Sequence, residues 1–539
     1  MSVAGEERSG TAARRAGLGL GACLFFGLLW IPGLPLDPMQ RRVAAVTALT
    51  ASLWLSVAIP VGATSLIPAA LFPLLGVLDA REVAPIYLRD LVLLFLGAFI
   101  IALGLERWNV HRRLALAVIQ AVGSSRRRLV LGFMAAAAFL SMWINNTATT
   151  LMMLPIVTAV LGRVEEDDDA AGRPSDGGRF GWCLLLGVAY SASVGGMATP
   201  VGTAPNQEFL GQFGTLFPDG PKLTFGEWFI AFAPLTVIFV PLAWLLLTRV
   251  VYPVSDVAGS GREAVAEERR RMGPMTVPQK RMALLFAATA ALWVFRADLR
   301  IGALEIPGWS RLFMGADASD PAWYARHKND ISDATVATLL GILAFVIPSG
   351  WREGKGGDAQ VAAEGDGDRR FLMDWRTASR LPWDVLLLLG GGFCLAHAFK
   401  VSGLDAVLGG ALAPILEGQS SWVVVAAVCV LVAGLTEITS NTATTAVLLP
   451  VMASAASAAG LDPMVVMLPA TLAASAAFMM PVATPPNAVV FATHRVPMTR
   501  MARAGIWMNL LMAAIITLVF QLWSKGLLGV SDSVPDWAQ

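Results

Sequence analysis

The chain has 539 residues, of which 56% are hydrophobic and only 15% are charged, and its formal net charge is +1. Ordinary soluble domains carry about 25% charged residues, so this composition excludes a soluble enzyme and favours a protein that crosses a membrane many times. The near-neutral charge also excludes a basic surface for nucleic acid. The four cysteines are scattered through apolar runs without metal-ligand spacing, and we interpret them as small hydrophobic residues.

The first predicted elements are a polar, basic tail over 1–16 and an apolar helix over 17–36. The apolar run ends in WIPGLPLDP rather than in a small-residue cleavage site, so we interpret it as a retained first span. A spanning helix needs about 20 mainly apolar residues. The further candidate spans are 43–61, 63–79, 90–105, 227–252, 281–296, 333–349, 382–399 and 504–524.

Four other apolar stretches are interrupted in the middle. Residues 129–162 and 421–459 are each too long for one span, and each holds a cluster of amide and hydroxyl side chains. Residues 182–214 and 463–493 begin as apolar helices and then break at TPVGTAPN and MPVATPPN. We therefore predict about 11 transmembrane helices, the two broken helices included, plus two re-entrant helical hairpins.

Lysine and arginine clusters set the predicted orientation. A cytoplasmic N-terminus, with both hairpins returning to the side they entered, places every basic cluster inside the cell except Arg41-Arg42. The same arrangement predicts a cytoplasmic linker at 253–280 and an external tail at 525–539. The predicted location is the plasma membrane, or inner membrane, of the cell.

Charged segments between the apolar stretches are expected to be solvated connectors. They include 163–180, with its acidic run VEEDDD, and 351–370. A solvated loop explains such an acidic run better than a cation site does.

The interrupted stretches form an internal repeat. NNTATTLMMLPI at 145–156 and SNTATTAVLLPV at 440–451 are identical at seven of twelve positions. TPVGTAPN at 199–206 and MPVATPPN at 480–487 are identical at five of eight. In both halves the hairpin comes first and the broken helix follows. The number of spans between the two copies gives the halves opposite orientations in the membrane. Inverted repeats with interrupted helices indicate a transporter's binding site near the middle of the bilayer. The predicted repeats are 43–252 and 281–524.

The polar clusters offer oxygen atoms and helix N-termini. Amide, hydroxyl and freed backbone oxygens suit a hard cation such as sodium, and each cluster opens a helix whose N–H groups suit an anion. No Lys, Arg or His lies between Arg128 and Arg163, nor between Lys400 and His494. A bound dianion would therefore need co-bound cations. A single Ser-Asn-Thr cluster is more often helix–helix glue, but two copies followed by broken segments favour a site.

These residues resemble the divalent-anion:sodium symporter family of dicarboxylate, citrate and sulfate carriers. Its paired Ser-Asn-Thr motifs match Asn145-Asn146-Thr147 and Ser440-Asn441-Thr442. SMWINNTATT, LTEITSNTATTAVLLPV, MPVATPPNAVVF, LERWNVHRR and PWDVLLLLGGGF follow its pattern as well. The resemblance runs from about residue 50 to the last span.

The resemblance implies an all-α homodimer that works by an elevator motion, with the two polar clusters at the hairpin tips. It implies a first sodium site at Ser141, Asn145, Asn146 and Gly202. It implies a second sodium site at Thr436, Ser440, Asn441 and Ala483. The implied substrate ligands are Asn146, Thr147, Thr203, Asn441, Thr442, Thr484 and Pro485.

The chain departs from the family pattern at a few positions. Asn145 stands where a serine is usual, which bears on the geometry of the first sodium site. Glu208 follows the first broken segment where an apolar residue is typical, and we interpret it as a solvated charge at a helix end rather than as a group that tunes the site for cations or protons. Glu437 is expected to orient the second sodium loop rather than to bind, and Gly390–Gly392 to allow close helix packing.

Together these features predict sodium-coupled import of a small dianion, in particular a C4-dicarboxylate such as succinate, or citrate. The alternatives are a sodium:sulfate symporter and a sodium-independent dicarboxylate exchanger. Family exchangers place basic residues where sodium would sit, and this chain lacks them there. A membrane enzyme would need a clustered acid–base or metal set, which the sequence does not contain at credible spacing, and a channel does not need two inverted hairpins.

Overall fold

The computed structural model describes residues 3–538 except 124, 171–175, 177, 256–260, 302–303, 315–319, 321–322, 325–326, 329 and 351–368. Within these ranges the regular secondary structure is helical apart from isolated bridge residues and one antiparallel hairpin, β1 (Leu299–Ile301) and β2 (Leu304–Ile306). The helices of the first half are α1 (Val3–Trp30), α2 (Pro38–Ser56), α3 (Val61–Thr64), α4 (Ile67–Leu74), α5 (Ala80–Ile86), α6 (Asp90–Arg107), α7 (Val110–Val122), α8 (Arg126–Ser141), α9 (Asn146–Ala170), α10 (Arg179–Gly195), α11 (Ala204–Leu216), α12 (Phe225–Leu245) and α13 (Gly261–Arg271).

The second half continues this helical pattern. Its helices are α14 (Val277–Val294), α15 (Arg311–Met314), α16 (Asp333–Val346), α17 (Trp375–Ala378), α18 (Trp383–Ser402), α19 (Leu404–Leu416), α20 (Ser421–Thr436), α21 (Asn441–Ala458), α22 (Met464–Ala474), α23 (Pro485–Phe491), α24 (Met498–Val519) and α25 (Lys525–Leu527).

Buried apolar side chains form two separate clusters. The first, which we call the hairpin body, is built mainly from α8–α12, α20, α22 and α24. The second, the frame body, is built mainly from α2, α4–α6, α14, α16 and α18. All four interrupted stretches contribute to the hairpin body, so the repeated elements share one core although they come from opposite halves of the chain.

The first interrupted stretch folds as a helical hairpin. α8 ends at Ser141 and α9 begins at Asn146. Arg126 at the start of α8 forms an ion pair with Asp168 near the end of α9, so the two outer ends of the stretch lie together. A continuous helix of this length would hold them far apart, because an α-helix rises about 1.5 Å per residue.

The second stretch is interrupted at the equivalent place, between α20 and α21. The segment after α24 contacts the start of this stretch and the turn that follows it. Lys525 Nζ donates to Ser421 Oγ at 3.4 Å, and the backbone N–H of Ser531 donates to Asp462 Oδ2 at 3.2 Å. These contacts bring the start of the second stretch close to the turn after its end.

Both broken helices restart at proline-rich segments. Pro205 lies in the first turn of α11, and Pro485-Pro486 begin α23. Proline is tolerated in a first turn but cannot extend a preceding helix, so it sets where each second half begins. The halves cross between repeats: α23 packs on α9, and α11 packs on α21.

The predicted span at 63–79 is wrong as a single helix. The chain forms only the end of α3 and all of α4 there, because Pro68 lies in the first turn of α4 and cannot extend the preceding helix. Among the described residues, six helical segments are long and apolar enough to cross a membrane, or up to seven if the bent pair α19–α20 is one span. The multi-pass helical architecture is confirmed, and the total of 11 spans stays a prediction.

Two predicted connectors contain helix. VEEDDD continues α9, so the prediction of a loop there is wrong. The segment 253–280 contains α13, which packs on α9 and α7 and is joined to α7 by an ion pair between Arg112 and Glu268, and the role of this segment as a cytoplasmic linker stays a prediction. The tail 1–16 is largely part of α1, and α19 was not anticipated. The predicted connector 351–370 lies almost entirely outside the described residues.

Candidate functional site

The first polar cluster surrounds the amide group of Asn146. One end of this amide faces three oxygen atoms: Ser141 Oγ at 2.6 Å, Ala192 O at 3.2 Å and Gly202 O at 3.3 Å. With its nitrogen at this end, the amide donates to all three. One hydroxyl and two backbone carbonyl oxygens therefore converge on this side of Asn146.

The two carbonyl groups near Asn146 come from the first broken helix, Ala192 from the last turn of α10 and Gly202 from the break that follows it. Asn206 Nδ2 donates to Gly196 O at 3.1 Å, Met197 O at 3.3 Å and Thr199 O at 2.8 Å, which holds the non-helical segment in place. Gly196 leaves no room for a side chain, because a Cβ there would lie 2.7 Å from Asn146 Oδ1. The hydroxyl of Thr199 donates to Met142 O, which ties this segment to the hairpin tip.

The second polar cluster has the same plan. The hydroxyl of Thr436 contacts both Asn441 Oδ1 and Ala474 O, the latter at 3.1 Å. Asn487, the repeat partner of Asn206, donates from Nδ2 to Ala477 O at 3.2 Å and to Met480 O at 3.1 Å. Each repeat therefore presents a hydroxyl, an asparagine amide and backbone oxygens at one break.

Glu437 orders the second break. Its carboxylate accepts hydrogen bonds from the backbone N–H groups of Phe478 at 2.7 Å, Met479 at 3.0 Å and Met480 at 2.9 Å, and from Asn509 Nδ2 at 2.7 Å. The side chain is only 5% exposed. Four donors on one buried carboxylate hold the non-helical segment in shape, as expected for an orienting residue.

The implied substrate residues lie around these two breaks. Thr147 and Thr442, in the first turns of α9 and α21, are half-buried. Thr203 Oγ1 lies 3.4 Å from Ser475 Oγ, where the two broken helices meet. Thr484 caps α23 by accepting from the N–H of Asn487 at 3.4 Å, and Pro485 is exposed.

The remaining implied sodium ligands differ in their surroundings. Asn145 is exposed, and its Oδ1 accepts from the backbone N–H of Ala148 at 2.8 Å, which caps the start of α9. Ser440 is exposed at the start of α21, and Ala483 is buried in the second break. The structure thus places Asn146 and Asn441 at the centre of the two clusters and gives Asn145 a capping role.

Sequence reasoning missed some contributors. Ala192 and Ala474 contribute backbone oxygens, so their side chains gave no sign of a site. Ser475 contributes its hydroxyl, but it lies outside the repeated motifs. Asn206 and Asn487 did carry a signal, since both end the repeated TPVGTAPN and MPVATPPN segments. Because the same residue type ends the segment in both repeats, the sequence indicates a shared structural role, which is to bind the carbonyl groups of each break.

The interpretation of Glu208 as a solvated charge is wrong. Its side chain is fully buried, and Oε1 accepts from Gln212 Nε2 at 2.7 Å. The prediction for Gly390–Gly392 agrees with the structure, because Cβ atoms there would meet Tyr87, Ser65 and Glu208.

Comparisons with known proteins agree with this architecture. The family model for the sodium:sulfate symporter transmembrane region matches residues 20–530. The sodium-dependent dicarboxylate transporter SdcS of Staphylococcus saprophyticus is 34% identical over 533 residues, covering 98% of this chain and 95% of that protein. The Na(+)/citrate cotransporter of Rattus norvegicus is 35% identical over 570 residues, covering 96% of each.

A solved structure shares the fold. The crystal structure of the Alcanivorax borkumensis YdaH transporter matches with a TM-score of 0.52, over 81% of this chain and 85% of that one. At 14% identity this likeness concerns the fold alone.

The family model covers nearly the whole chain, and the relatives at 34% and 35% identity are transporters over almost their full length. These matches confirm the prediction of a transporter rather than a membrane enzyme. The chain belongs to the divalent-anion:sodium symporter family.

Proposed function

We propose that the protein is a sodium-coupled symporter that imports a small dianion, in particular a C4-dicarboxylate such as succinate, or citrate. The observation that carries this proposal is the amide of Asn146, whose inner end faces Ser141 Oγ, Ala192 O and Gly202 O. Sodium is a hard cation that prefers such neutral and backbone oxygens. Relatives that carry sodium with dicarboxylate or citrate support the same conclusion.

The first proposed sodium site comprises Ser141, Asn146 and Gly202, with Asn145 at its rim. The second comprises Thr436, Asn441 and Ala483, with Ser440 at its rim. Neither cluster contains a carboxylate ligand, so each bound sodium would add a positive charge at its break, and at the second break the Glu437 carboxylate offsets part of that charge. That charge is what a dianion needs here, because the interrupted hairpins contain no basic side chain between Arg128 and Arg163 or between Lys400 and His494.

The proposed substrate site lies between the two breaks. Thr147 and Thr442 stand in the first turns of α9 and α21, where unpaired backbone N–H groups and the helix dipole favour negative charge. Thr203, Thr484 and Pro485 belong to the broken segments. One carboxylate would be bound at each cluster, so the separation of the clusters would select the length of the dianion.

Alternating access is proposed to use an elevator motion of the hairpin body against the frame body within a homodimer. The separation of the buried core into these two clusters supports this mechanism. We also propose that the N-terminus is cytoplasmic and the C-terminus external. The lipid bilayer and a second copy of the chain are the expected partners.

Uptake into proteoliposomes tests the proposal. Purified protein is reconstituted, and uptake of labelled succinate, citrate and sulfate is measured with an inward sodium gradient and with choline in place of sodium. We expect sodium-dependent uptake of succinate or citrate. Equal uptake in sodium and choline would contradict symport and favour the exchanger, whereas sodium-dependent uptake of sulfate alone would identify a sulfate symporter.

A further inference from the structure

Glu208 is a buried acid that the proposed mechanism does not use. It lies in the second turn of α11, is fully buried, and has one oxygen, Oε2, without a hydrogen-bond partner in the described part of the chain. Its other oxygen accepts from Gln212 Nε2 at 2.7 Å. A buried carboxylate with a single neutral hydrogen bond is very unfavourable, because its charge has lost the water that stabilised it.

The helices packed around α11 offer little compensating charge. α21 and α22 carry no ionisable side chain, and α18 carries Asp384, Cys394, His397 and Lys400. His397 is five residues from Gly392, the position that touches Glu208, and Asp384 and Lys400 are eight residues from it. These separations correspond to about 7 Å and about 12 Å along the helix. α6 carries Asp90, Glu106 and Arg107, all at its ends. Arg89 and Lys400 donate to Thr215 Oγ1 and Leu216 O at the end of α11, which is about 10 Å along the helix from Glu208.

The amide of Gln212 argues for a proton rather than a metal ion. Its Nε2 donates both to Glu208 Oε1 and to Ala446 O at 2.8 Å, so the amide is fixed with its nitrogen towards the carboxyl. A metal ion beside the carboxylate would face this N–H donor. A proton on Oε2 needs no further ligands and removes the charge.

Glu208 also lies where the two bodies meet. Its neighbour Phe209 belongs to the hairpin body, and Gly392 is flanked by Phe393 of the frame body. A Cβ at Gly392 would come within 1.8 Å of Glu208 Oε1, so the absence of a side chain on α18 makes room for the carboxyl. Any movement between the two bodies changes this contact.

The acid breaks the internal symmetry. In the repeat alignment Glu208 corresponds to Val489 of α23, which is only half-buried. At this position α11 is fully buried, whereas α23 of the second repeat is partly exposed. The second repeat therefore has no equivalent of this buried acid.

We propose that the Glu208 carboxyl is a proton-binding site, which holds a proton while α11 is packed against α18 and exchanges it with water when that contact opens. The proposal rests on the proposed transport function. The proton binds to a carboxylate oxygen and leaves from it, so no other reactant is needed. Transport then moves protons in addition to sodium and the dianion.

The test uses full-length protein in proteoliposomes that contain a pH-sensitive dye, with the membrane potential clamped. Sodium-driven succinate uptake is measured at several pH values with the concentration of the succinate dianion held constant. The variants are Glu208→Gln and Glu208→Val, the residue of the second repeat, and the control is the exposed acid change Glu166→Gln. We expect proton movement with uptake in the wild type and the control, and its loss in both Glu208 variants while sodium-driven uptake persists.

Identical proton movement and pH profiles in the wild type and the Glu208 variants would overturn the proposal. Absence of sodium-driven uptake in every protein is a different result, since it contradicts the proposed function. In that case infrared spectroscopy of the purified protein decides. A protonated-carboxyl band near neutral pH that is absent from Glu208→Gln supports the proton site, and no difference between the spectra overturns it. Loss of the band on adding sodium would show that the site takes sodium instead, and would also overturn it.

Discussion

Thr203 Oγ1 lies 3.4 Å from Ser475 Oγ, although the two residues are 272 positions apart in the chain. They belong to the breaks of different repeats, so the two breaks lie against each other. The crossed packing of α11 on α21 and of α23 on α9 reinforces this arrangement. A change at one cluster should therefore affect ligands bound at the other.

The first prediction concerns the second cluster. Asn441→Ala removes the amide that contacts the Thr436 hydroxyl. A hydrogen bond or ligand to a charged group contributes about 1.5–3 kcal/mol, so we expect the sodium concentration for half-maximal uptake to rise at least about tenfold. Sodium titrations of succinate uptake measure this change.

The control is Ser457→Ala on the same helix, whose hydroxyl has no hydrogen-bond partner within the described ranges. It should keep the sodium dependence of the wild type. Unchanged sodium dependence in Asn441→Ala would show that the second cluster is not a sodium site.

The second prediction separates capping from sodium binding at Asn145. Its Oδ1 caps α9 through Ala148, and serine caps helices about as well as asparagine. We expect Asn145→Ser to keep both thermal stability and sodium dependence. Asn145→Ala should lower the stability by about 1 kcal/mol through loss of the cap.

Thermal unfolding in detergent and sodium titrations of uptake test these variants together. A large shift in sodium dependence in both variants, without a difference in stability between them, would assign Asn145 to the ion instead of the cap.

The third prediction concerns Glu437, which accepts from three backbone N–H groups and Asn509. Glu437→Gln removes the charge and turns an amide NH2 towards these donors. We expect the free energy of unfolding to fall by roughly 3 kcal/mol or more, measured by thermal unfolding in detergent. Asn509→Ala removes one donor to Glu437 and one acceptor of the Phe478 N–H, which Glu437 still accepts, so it should cost only about 1 kcal/mol. Wild-type stability in Glu437→Gln would show that the second break is held by other contacts.

The fourth prediction is a pH effect at His111 in α7, a helix too short to span the membrane. Burial, together with the nearby Arg112, lowers the pKa of His111 to about 4, while Nδ1 hydrogen-bonds Leu105 O at 2.8 Å. The unfolded chain has a pKa of about 6.5 and so binds more protons between these values. Stability should therefore fall as the pH falls below about 6.5, by about 2 kcal/mol between about pH 7 and about pH 5.

Thermal unfolding across this pH range checks the slope. In His111→Asn, whose amide can still donate to the Leu105 carbonyl, the contribution of this group should disappear. The same slope in both proteins would assign the pH dependence to other groups.

Much of the architecture could be predicted because its causes are local. Apolar length indicates spans, and Pro205 and Pro485 start new helices wherever they occur in the fold. Apolar length alone predicts the wrong element at 63–79, because Pro68 begins a new helix within the apolar run. The prediction of a loop at VEEDDD is wrong as well, because Arg126 in the first turn of α8 pairs with Asp168 and stabilises the longer α9.

The candidate site was predictable in its side chains but not in its backbone. The repeated clusters identified Asn146 and Asn441, since polar groups inside an apolar stretch need a reason to be there. Nothing in the residue types of Ala192 or Ala474 shows that their carbonyl oxygens face those amides. That depends on how each broken helix lies against its hairpin.

By itself, the sequence determined the membrane class, the duplication, the four breaks and the oxygen-rich, cation-poor chemistry at each of them. These follow from composition and from short segments, whose physical consequences act over a few residues. Only the tertiary structure decided that the two breaks meet at Thr203 and Ser475, that Asn145 caps a helix, and that Glu208 is buried against Gly392. The contact of Thr203 with Ser475 and the burial of Glu208 depend on segments far apart in the chain. Packing between such segments decides which side chains lose their water.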